Sequence, residues 1–402
     1  MSPVLCRAVG APTSGLERTR PVLTVRLDAV AHNTRVLTAA AHRLMAVVKA
    51  DGFGLGAVDV ARTALGNGAS TLGVATLAEA VELRDAGLTA PVLSWLDAPG
   101  TDYADAVVHD VDVAVPSVEH LAGAASAGRR LGRALDVHLF LDCGTARDGC
   151  PPVLWPALCA AARRAERDGA VRVVGVMGHL ALAASPVATE NVEAALRFRR
   201  GVEQARAAGL RPVVRHLGAT AAVLGLRGVA FDLSRVGAGL VGIDPTGRYP
   251  VLRGTARVTA PVVQVRDVGA GTGVGYDHTY RTGDPTRLAL LPLGYADGLP
   301  VAASGRAEVL VHGRRRPLVG RLSMDQVVVD VGALDVRPGD VVTVIGTGGD
   351  PRDPAPTLGE WAAWAGTVPH ELLTGLGRRL VRHVVPAVPS SPPSSYDLQE
   401  IA

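Results

Sequence analysis

The stretch VVKADGFGLG at residues 47–56 is the most informative segment of this 402-residue chain. A short apolar run ends at Lys49, and a segment rich in glycine follows it. Lys49 is the one lysine among the 41 lysine and arginine residues of the chain. Lysine can lose its proton and attack a carbonyl, whereas arginine stays protonated. A lysine retained where arginine serves everywhere else is therefore a candidate covalent residue, with chance survival on a solvated face as the alternative.

Length and composition bound the class of protein. The chain is long enough for two domains, and its content of 48% hydrophobic and 20% charged residues allows a large buried core. A net charge of +3, with no clustered basic helix, gives no reason to expect a nucleic-acid partner. The sequence contains no run of about 18 apolar residues, so no membrane span is predicted. Residues 1–20 lack the apolar core of a secretion signal.

The cysteines favour a reducing compartment. Their spacing matches no metal site, so we expect no bound metal. Free thiols are the ordinary state of cysteine in a reducing cytosol, which predicts a cytoplasmic protein. The four residues are Cys6, Cys143, Cys150 and Cys159.

Outward from Lys49, one pattern repeats through the first half of the chain. A short apolar run is followed by a turn of small residues and then by an amphipathic stretch rich in Ala, Leu and Arg. Continuous apolar runs of this kind predict parallel strands buried on both faces. Eight such units favour an α/β fold with a closed (β/α)8 barrel, and an open doubly wound sheet is the alternative. The runs are residues 45–48, 71–75, 92–96, 111–115, 135–141, 173–177, 213–217 and 233–236.

The pattern changes after about residue 255. Segments rich in Val and Thr between glycine turns predict a mostly antiparallel β domain over residues 256–385. The run Arg314, Arg315 and Arg316 follows Gly313 and is interpreted as a hairpin turn, and residues 357–380 are predicted as one last helical segment. The barrel is assigned to residues 21–255, and the ends (1–20 and 386–402) are predicted to be disordered. The predicted strands of the β domain are 258–265, 286–293, 307–311, 326–331 and 340–345.

Polar residues recur where barrel strands end. The active site of such a barrel lies at the C-terminal ends of its strands. Lys49, Arg147, His179, Thr220 and Arg235 each end or follow one of the eight runs. Each alone could be a structural polar residue, but their shared placement predicts one site at the barrel mouth. A phosphate there would suit the Thr220 hydroxyl and the backbone amides that follow Arg235.

Several motifs resemble the alanine racemase family, whose members are fold-type III pyridoxal-phosphate enzymes. Residues 47–56 are similar to the segment that carries the family's cofactor lysine. GYADG at residues 294–298 and VGRLSMDQ at residues 319–326 resemble motifs of its C-terminal domain. GVATLAEA at residues 73–80 and SRVG at residues 234–237 also fit, so the resemblance spans about residues 23–384.

The resemblance implies a racemisation of alanine, or of a similar small amino acid, by two bases. Lys49 would hold pyridoxal 5'-phosphate and act on one face of Cα, while Tyr276 from a second subunit would act on the other. His179 and then Arg235 match a hydrogen-bonded chain that leads from Tyr276 to the ring nitrogen of the cofactor. A homodimer with shared active sites, without nucleic-acid or membrane partners, is therefore expected.

The resemblance also assigns the remaining site positions. Arg147 is implied near the substrate carboxylate, together with further substrate-side residues from the partner chain. These are Tyr295, Met324 and Asp325. The implied cofactor-binding set is Lys49, Phe53, His179, Thr220, Arg235, Gly237, Ala238 and His370.

Some positions depart from the family pattern. Phe53 and His370 stand where the family usually has tyrosines that contact the phosphate, and Thr220 replaces a serine. Phe140 occupies the place of a lysine that orients the arginine in many members. Leu55 and Ala219 replace a His and an Asn. The phosphate would thus lose up to two tyrosine hydroxyls, although His370 could donate a hydrogen bond instead. Because a hydrogen bond to a charged group contributes about 1.5–3 kcal/mol, a weaker affinity for the cofactor is expected.

Other functions remain open at the level of sequence. A fold-type III decarboxylase of basic amino acids would share the barrel and the β domain, but residues 323–325 lack its substrate-side cysteine. A pyridoxal-phosphate carrier would lack the β domain altogether. A relative specialised for another amino acid, or an inactive paralogue, would also be consistent with the changed positions.

Overall fold

The computed structural model describes residues 19–226, 228–229, 231–249, 251–348 and 353–387. Strands and helices alternate in the first half, whereas strands dominate the second. The strands are β1 (Val22–Arg26), β2 (Leu44–Val47), β3 (Thr71–Val74), β4 (Val92–Ser94), β5 (Val111–Val115), β6 (Leu135–Phe140), β7 (Val171–Met177), β8 (Val214–His216), β9 (Ser234–Val236), β10 (Ala256–Pro261), β11 (Gln264–Val268), β12 (Gly273–Val274), β13 (Tyr280–Arg281), β14 (Thr286–Leu291), β15 (Glu308–Val311), β16 (Arg314–Val319), β17 (Val327–Asp330), β18 (Val341–Ile345) and β19 (Val381–Val385). The helices are α1 (Leu27–Ala40), α2 (Lys49–Gly54), α3 (Ala57–Leu65), α4 (Leu77–Asp85), α5 (Ala104–Val108), α6 (Val118–Leu131), α7 (Trp155–Arg167), α8 (Thr189–Ala207), α9 (Thr220–Gly225), α10 (Leu358–Ala365) and α11 (Pro369–Gly375).

The two predicted disordered ends cannot be compared with the structure. Residues 1–18 of the N-terminal extension and 388–402 of the tail lie outside the described residues. Within the described ranges, no helix is long and apolar enough to cross a membrane.

Eight parallel strands, β2 to β9, form one sheet in which neighbours in sequence are neighbours in space, and β2 also pairs with β9. The remaining seam, between β8 and β9, is joined where Arg235 donates its backbone N–H to the Gly218 carbonyl and where Ala219 bridges to Arg235. The sheet therefore closes into a (β/α)8 barrel. All eight predicted strands are confirmed, and the open-sheet alternative is wrong.

Alternate side chains fill the inside of the barrel, because successive residues of a strand point to opposite faces. The intervening residues pack outward against the helices in a larger core. Gly73 has no room for a side chain, since a Cβ there would lie 2.7 Å from Met45 Sδ and 2.8 Å from the Trp95 ring. The interior apolar cluster consists of Met45, Val47, Leu93, Ala114, Phe140, Met177 and Leu233.

The second half of the chain forms a nine-stranded sheet with the order β11-β14-β17-β16-β15-β18-β10-β1-β19. The first strand of the chain belongs to it, because β1 pairs antiparallel with β10 and parallel with β19. The assignment of residues 21–255 to the barrel therefore differs from the structure at β1. Its physical signature is alternation: Leu23 and Val25 are buried while their neighbours are partly exposed, unlike the fully buried strands β2 and β3.

Three predicted details of the β domain are wrong. Residues 258–265 form two strands, because Pro261 ends β10 and the chain then pairs with a different neighbour in β11. The arginine run lies in β16, since His312 and Gly313, with φ of 47° and 75°, make the tight turn by themselves. Residues 357–380 contain two helices, because Gly366 adopts the left-handed conformation after α10 and α11 begins at Pro369.

Gly254 lies at the junction between the barrel and the β domain, and a Cβ there would collide with the backbone carbonyl of Thr347. Since backbone cannot move aside as a side chain can, we expect Gly254→Ala to destabilise the protein by about 1–3 kcal/mol. Thermal unfolding should show a melting temperature lower by several degrees. Gly283→Ala is the matched control, because nothing lies within 4 Å of a Cβ at that position. Equal melting temperatures for the two variants would contradict this packing.

Candidate active site

One cavity of about 380 Å³ opens at the C-terminal ends of the barrel strands. Small-molecule sites typically have volumes of about 300–1,000 Å³. The residues that line it come from separate segments of the barrel and from α11 of the β domain. Nine of the predicted site residues meet there: Lys49, Phe53, Arg147, His179, Thr220, Arg235, Gly237, Ala238 and His370.

Lys49 leads directly into a left-handed turn. Residues 50–53 have φ between 53° and 62°, although only one of the four is glycine. Such a conformation costs roughly 1–2 kcal/mol for each residue with a side chain, so neighbours must hold it. Asp51 accepts a hydrogen bond of 2.9 Å from the backbone N–H that begins α3, and Glu79 accepts one of 2.8 Å from Ala50 N–H. These bonds fix the backbone on which the Lys49 side chain is carried.

The surroundings of Lys49 disfavour its charged form. Burial lowers the pKa of the Lys49 amine, and the nearby cation of Arg147 lowers it further, while Glu79 acts in the opposite direction. The amine lies 6.0 Å from the centre of the Trp95 ring, which forms part of the cavity wall. A lysine with a lowered pKa has a larger fraction of free amine, and it is a better nucleophile and base near neutral pH.

Arg235 is the most deeply buried cation of the cavity, with 6% of its surface exposed. Its Nη1 donates to the His216 carbonyl and faces His216 Nδ1, both at 2.9 Å. Its Nη2 donates to the Gly178 carbonyl at 2.6 Å and faces His179 Nδ1 at 3.2 Å. Burial lowers the pKa of Arg235 to about 10, so the guanidinium stays charged at neutral pH. These bonds use the Nη hydrogens and leave the Nε hydrogen for a ligand.

His179 is held as a neutral ring. Burial, with the cations of Arg235 and Arg147, lowers the pKa of His179 to about 3. Because a guanidinium can only donate, His179 Nδ1 must accept, and the hydrogen of the neutral ring is then on Nε2. His179 can therefore donate a hydrogen bond from Nε2 without carrying a charge.

The opposite end of the cavity is built from small residues. The Thr220 hydroxyl accepts a hydrogen bond of 3.1 Å from Gly239 N–H, which ties the start of α9 to the loop after β9. A Cβ at Gly237 would lie 2.8 Å from the Phe53 ring, so glycine makes room for that ring. The rings of Phe53 and His370 are 6.2 Å apart, and burial lowers the pKa of His370.

The four remaining predicted residues lie elsewhere on the same chain. Tyr276 lines a separate cavity of about 410 Å³ on the β domain, and 62% of its surface is exposed. Tyr295 and Met324 are 43% and 52% exposed, and Asp325 pairs with Arg379. None of the four lines the cavity around Lys49. Among the described residues, a single chain therefore brings nine of the thirteen predicted site residues together and leaves Tyr276 and the other three outside that cavity.

Tyr276 has a cation as its neighbour. The Arg321 guanidinium lies 5.5 Å from the centre of the Tyr276 ring and forms an ion pair of 2.6 Å with Asp277. The chain thus presents an exposed tyrosine, supported by an arginine, on the surface of its β domain.

Sequence reasoning missed Trp95 and Asp148 in the cavity wall. Trp95 follows β4, so the rule that found Lys49, applied to every strand end, could have found it. Asp148 has a buried carboxylate oxygen that accepts no hydrogen bond among the described residues, and Arg147 lies 3.7 Å away. Its sequence neighbour Arg147 was identified, but nothing in the pattern distinguished Asp148 from a surface carboxylate.

Comparisons with known proteins identify both halves of the chain. The family model of the alanine racemase N-terminal domain matches residues 25–245, and that of the alanine racemase C-terminal domain matches residues 255–384. An alanine racemase of Mycolicibacterium vanbaalenii is 45% identical over 383 residues, which cover 93% of this chain and 96% of that protein.

Solved structures agree with these matches. The alanine racemase of D-cycloserine-producing Streptomyces lavendulae superposes with a TM-score of 0.89 at 39% identity, over 92% of this chain and 98% of its own. That of Bartonella henselae, solved with covalently bound pyridoxal phosphate, gives a TM-score of 0.82 at 28% identity, over 91% and 100%.

The titration of Lys49 tests the electrostatics of the cavity. Because Lys49 is the one lysine of the chain, reductive methylation with carbon-13 labels it and the N-terminal amine alone. In cofactor-free protein we expect its NMR titration to lie below the ordinary lysine pKa of about 10.4. Arg147→Met should move the pKa upward, since it removes a cation that opposes the ammonium form.

Arg164→Met is the matched control, because it removes an equal charge from an exposed position on α7 that lies outside the cavity. An unshifted Lys49 pKa in the unaltered protein, or equal titrations in the two variants, would contradict the account of this site.

Proposed function

The chain belongs to the alanine racemase family and is a pyridoxal-phosphate-dependent alanine racemase, and we propose that its two bases are Lys49 and the partner subunit's Tyr276. One observation carries this proposal. Lys49, with its lowered pKa, and Tyr276, exposed on the β domain, lie in separate cavities of one chain. Racemisation by two bases needs one on each face of Cα, and this separation supports a second chain as the source of one of them.

The cavity fits pyridoxal 5'-phosphate in both its chemistry and its shape. Lys49 supplies the amine that would hold the aldehyde carbon, and Arg235 supplies a free Nε–H donor for the ring nitrogen. Thr220, with the backbone at Gly237 and Ala238, supplies donors for a phosphate, beside a glycine that leaves room for the Phe53 ring. His370 and Phe53 would close that end, His370 as a further donor and Phe53 by packing alone.

The residues of the site then divide the work of proton transfer. When bound, the cofactor withdraws electrons from the amino acid attached to it, which makes the Cα proton acidic. Lys49, as a free amine, takes that proton on one face, and the partner subunit's Tyr276 returns a proton from its hydroxyl on the other. In the reverse direction the two residues exchange roles. Arg235 would donate a hydrogen bond to the ring nitrogen of the bound cofactor and keep its own proton, which would limit electron withdrawal and favour racemisation over side reactions.

His179 links the two ends of this arrangement. Its Nδ1 accepts from Arg235, so its Nε2–H is free to donate to the partner subunit's Tyr276. A neutral histidine can give such a hydrogen bond without carrying a charge into the site. Arg147 is the cation for the substrate carboxylate. The partner subunit's Tyr295, Met324 and Asp325 are proposed to complete the substrate side.

The same geometry supports a homodimer with two shared sites. Tyr276, Tyr295 and Met324 are exposed large side chains on one domain, and the matching cavity lies on the other. A twofold axis that brings one chain's β domain to the other chain's barrel mouth would complete both sites at once.

A cytoplasmic location is proposed on the state of the thiols. Cys143, Cys150 and Cys159 are buried and free. Burial raises the pKa values of their thiols to about 12, 11 and 12, so they remain protonated and unreactive. Unpaired cysteines are typical of proteins kept in a reducing compartment.

Purified protein loaded with the cofactor should convert L-alanine into D-alanine and show a visible absorbance band. Lys49→Ala should lose both the band and the activity. Tyr276→Phe should keep the band and lose about 10²–10⁴-fold in kcat, because it removes one acid–base group and leaves the cofactor residues intact. Full activity in Tyr276→Phe would contradict the proposed second base.

The shared site predicts complementation between two inactive variants. When Lys49→Ala and Tyr276→Phe proteins are unfolded together and refolded as a mixture, about half of the dimers are mixed, and each mixed dimer has one intact site. We therefore expect recovery of about a quarter of the original activity. Each variant refolded alone is the control, and no recovery in the mixture, with dimers present, would contradict a site shared between chains.

A further inference from the structure

A row of polar side chains runs through the inside of the barrel beneath the active-site cavity. From the mouth downward it consists of Arg235, His216, His138 and Asp112, and we name these residues the barrel row. Arg235 Nη1 lies 2.9 Å from His216 Nδ1, and His216 Nε2 lies 2.8 Å from His138 Nδ1. His138 Nε2 lies 3.5 Å from a carboxylate oxygen of Asp112. Both histidines are almost fully buried.

The direction of every hydrogen bond in the barrel row follows from its first member. A guanidinium has no acceptor, so His216 Nδ1 must accept from Arg235. Burial and the Arg235 cation hold the pKa of His216 well below its usual value, so the ring is neutral and its one hydrogen is on Nε2. His138 Nδ1 must then accept from His216. The hydrogen of His138 is therefore on Nε2 and points toward Asp112.

The barrel backbone is shaped to admit His138. The pairing of β6 with β7 shifts register between Val137 and His138, so that Val137 is opposite Val173 but His138 is opposite Gly175. A Cβ at position 175 would overlap the His138 ring. Irregular pairing of this kind often re-aims a side chain beside a functional site. A bulge and a glycine together thus provide the room that the His138 imidazole needs.

Among the described residues, no carboxylate pairs with Arg235, so the orientation of its guanidinium depends on the hydrogen bonds that it donates. Among the described residues, its hydrogen-bond partners are backbone carbonyls and the imidazoles of His179 and His216. If His216 carried its hydrogen on Nδ1, two donors would face each other across 2.9 Å. The tautomer of His216 therefore decides whether the Arg235 guanidinium keeps its orientation.

We propose that His138 is a positioning residue for the racemase, which acts through His216 to hold Arg235 with its Nε–H directed at the cofactor ring. This inference rests on the proposed role of Arg235 at the ring nitrogen. His138 touches neither substrate nor cofactor, since it does not line the active-site cavity. Its function is to accept the His216 hydrogen and so fix the one tautomer that Arg235 can pair with.

Nitrogen-15 NMR of histidine-labelled, cofactor-free protein tests the tautomers independently of any activity. Spectra of His138→Phe and His216→Phe variants assign the signals of the two rings. At neutral pH we expect Nδ1 of both rings to be unprotonated and Nε2 of both to be protonated. A hydrogen on Nδ1 of either ring, or on both nitrogens of one ring, would overturn the proposal even if the enzyme proves to be an active racemase.

Two variants at position 138 test the consequence for catalysis. Phe keeps a ring in the space but removes the acceptor, whereas the Asn side-chain oxygen can occupy the place of Nδ1 and accept from His216. In the loaded enzyme, His138→Phe should lower kcat about tenfold with little change in KM, and His138→Asn should recover most of that loss. Melting temperatures of both variants separate this effect from unfolding.

Asp136→Asn is the matched control. Asp136 lines the same lower cavity of the barrel as His138, but it pairs with Arg172 instead of joining the barrel row. Its kcat should be unchanged. Folded His138→Phe protein with unaltered kcat, or equal losses in the Phe and Asn variants, would overturn the proposal. Loss of all activity in the unaltered protein would instead count against the proposed function, and the NMR result would still decide the tautomers.

Discussion

The structure of the active site depends on a cation that can only donate, buried where the barrel closes. Arg235 lies on β9, and its guanidinium hydrogens reach carbonyls that follow β7 and β8. Those carbonyls come within reach of β9 only if the eight strands form a closed ring. Formation of the site therefore requires closure of the barrel. Because Arg235 cannot accept a hydrogen bond, each ring nitrogen that faces it must accept. Its presence thereby fixes the tautomers of His179 at the mouth and of His216 beneath it.

The cations at the barrel mouth have two effects. Burial and the cations of Arg147 and Arg235 lower the pKa values of Lys49 and His179 at this cavity. A free amine and a neutral imidazole are the forms that proton transfer needs near neutral pH. The same cations favour an anionic ligand with a phosphate and a carboxylate. Tyr276 does not line this cavity, and under the proposed mechanism a second copy of the chain would bring it there.

Much of this arrangement could be predicted from the sequence. Continuous apolar runs between amphipathic helices identified all eight barrel strands, and the rule that sites lie at strand ends found Lys49, His179 and Arg235. Pairing over long separations could not be predicted, and β1 was therefore assigned to the barrel although it pairs with β10 and β19. The left-handed turn of residues 50–53 was hidden because three of its residues are not glycine. His138 was missed because it lies in the middle of β6, whereas the rule considers only residues at strand ends.

Exchange of the Cα proton in heavy water tests whether Lys49 and Tyr276 act on opposite faces of the substrate. L-alanine and D-alanine are each incubated with loaded Tyr276→Phe protein, and deuterium at Cα is followed separately for each enantiomer. If Lys49 and Tyr276 act on opposite faces, exchange should persist for the enantiomer whose proton faces Lys49 and should be lost for the other. Equal rates of exchange for the two enantiomers, whether both high or both low, would contradict a two-base site.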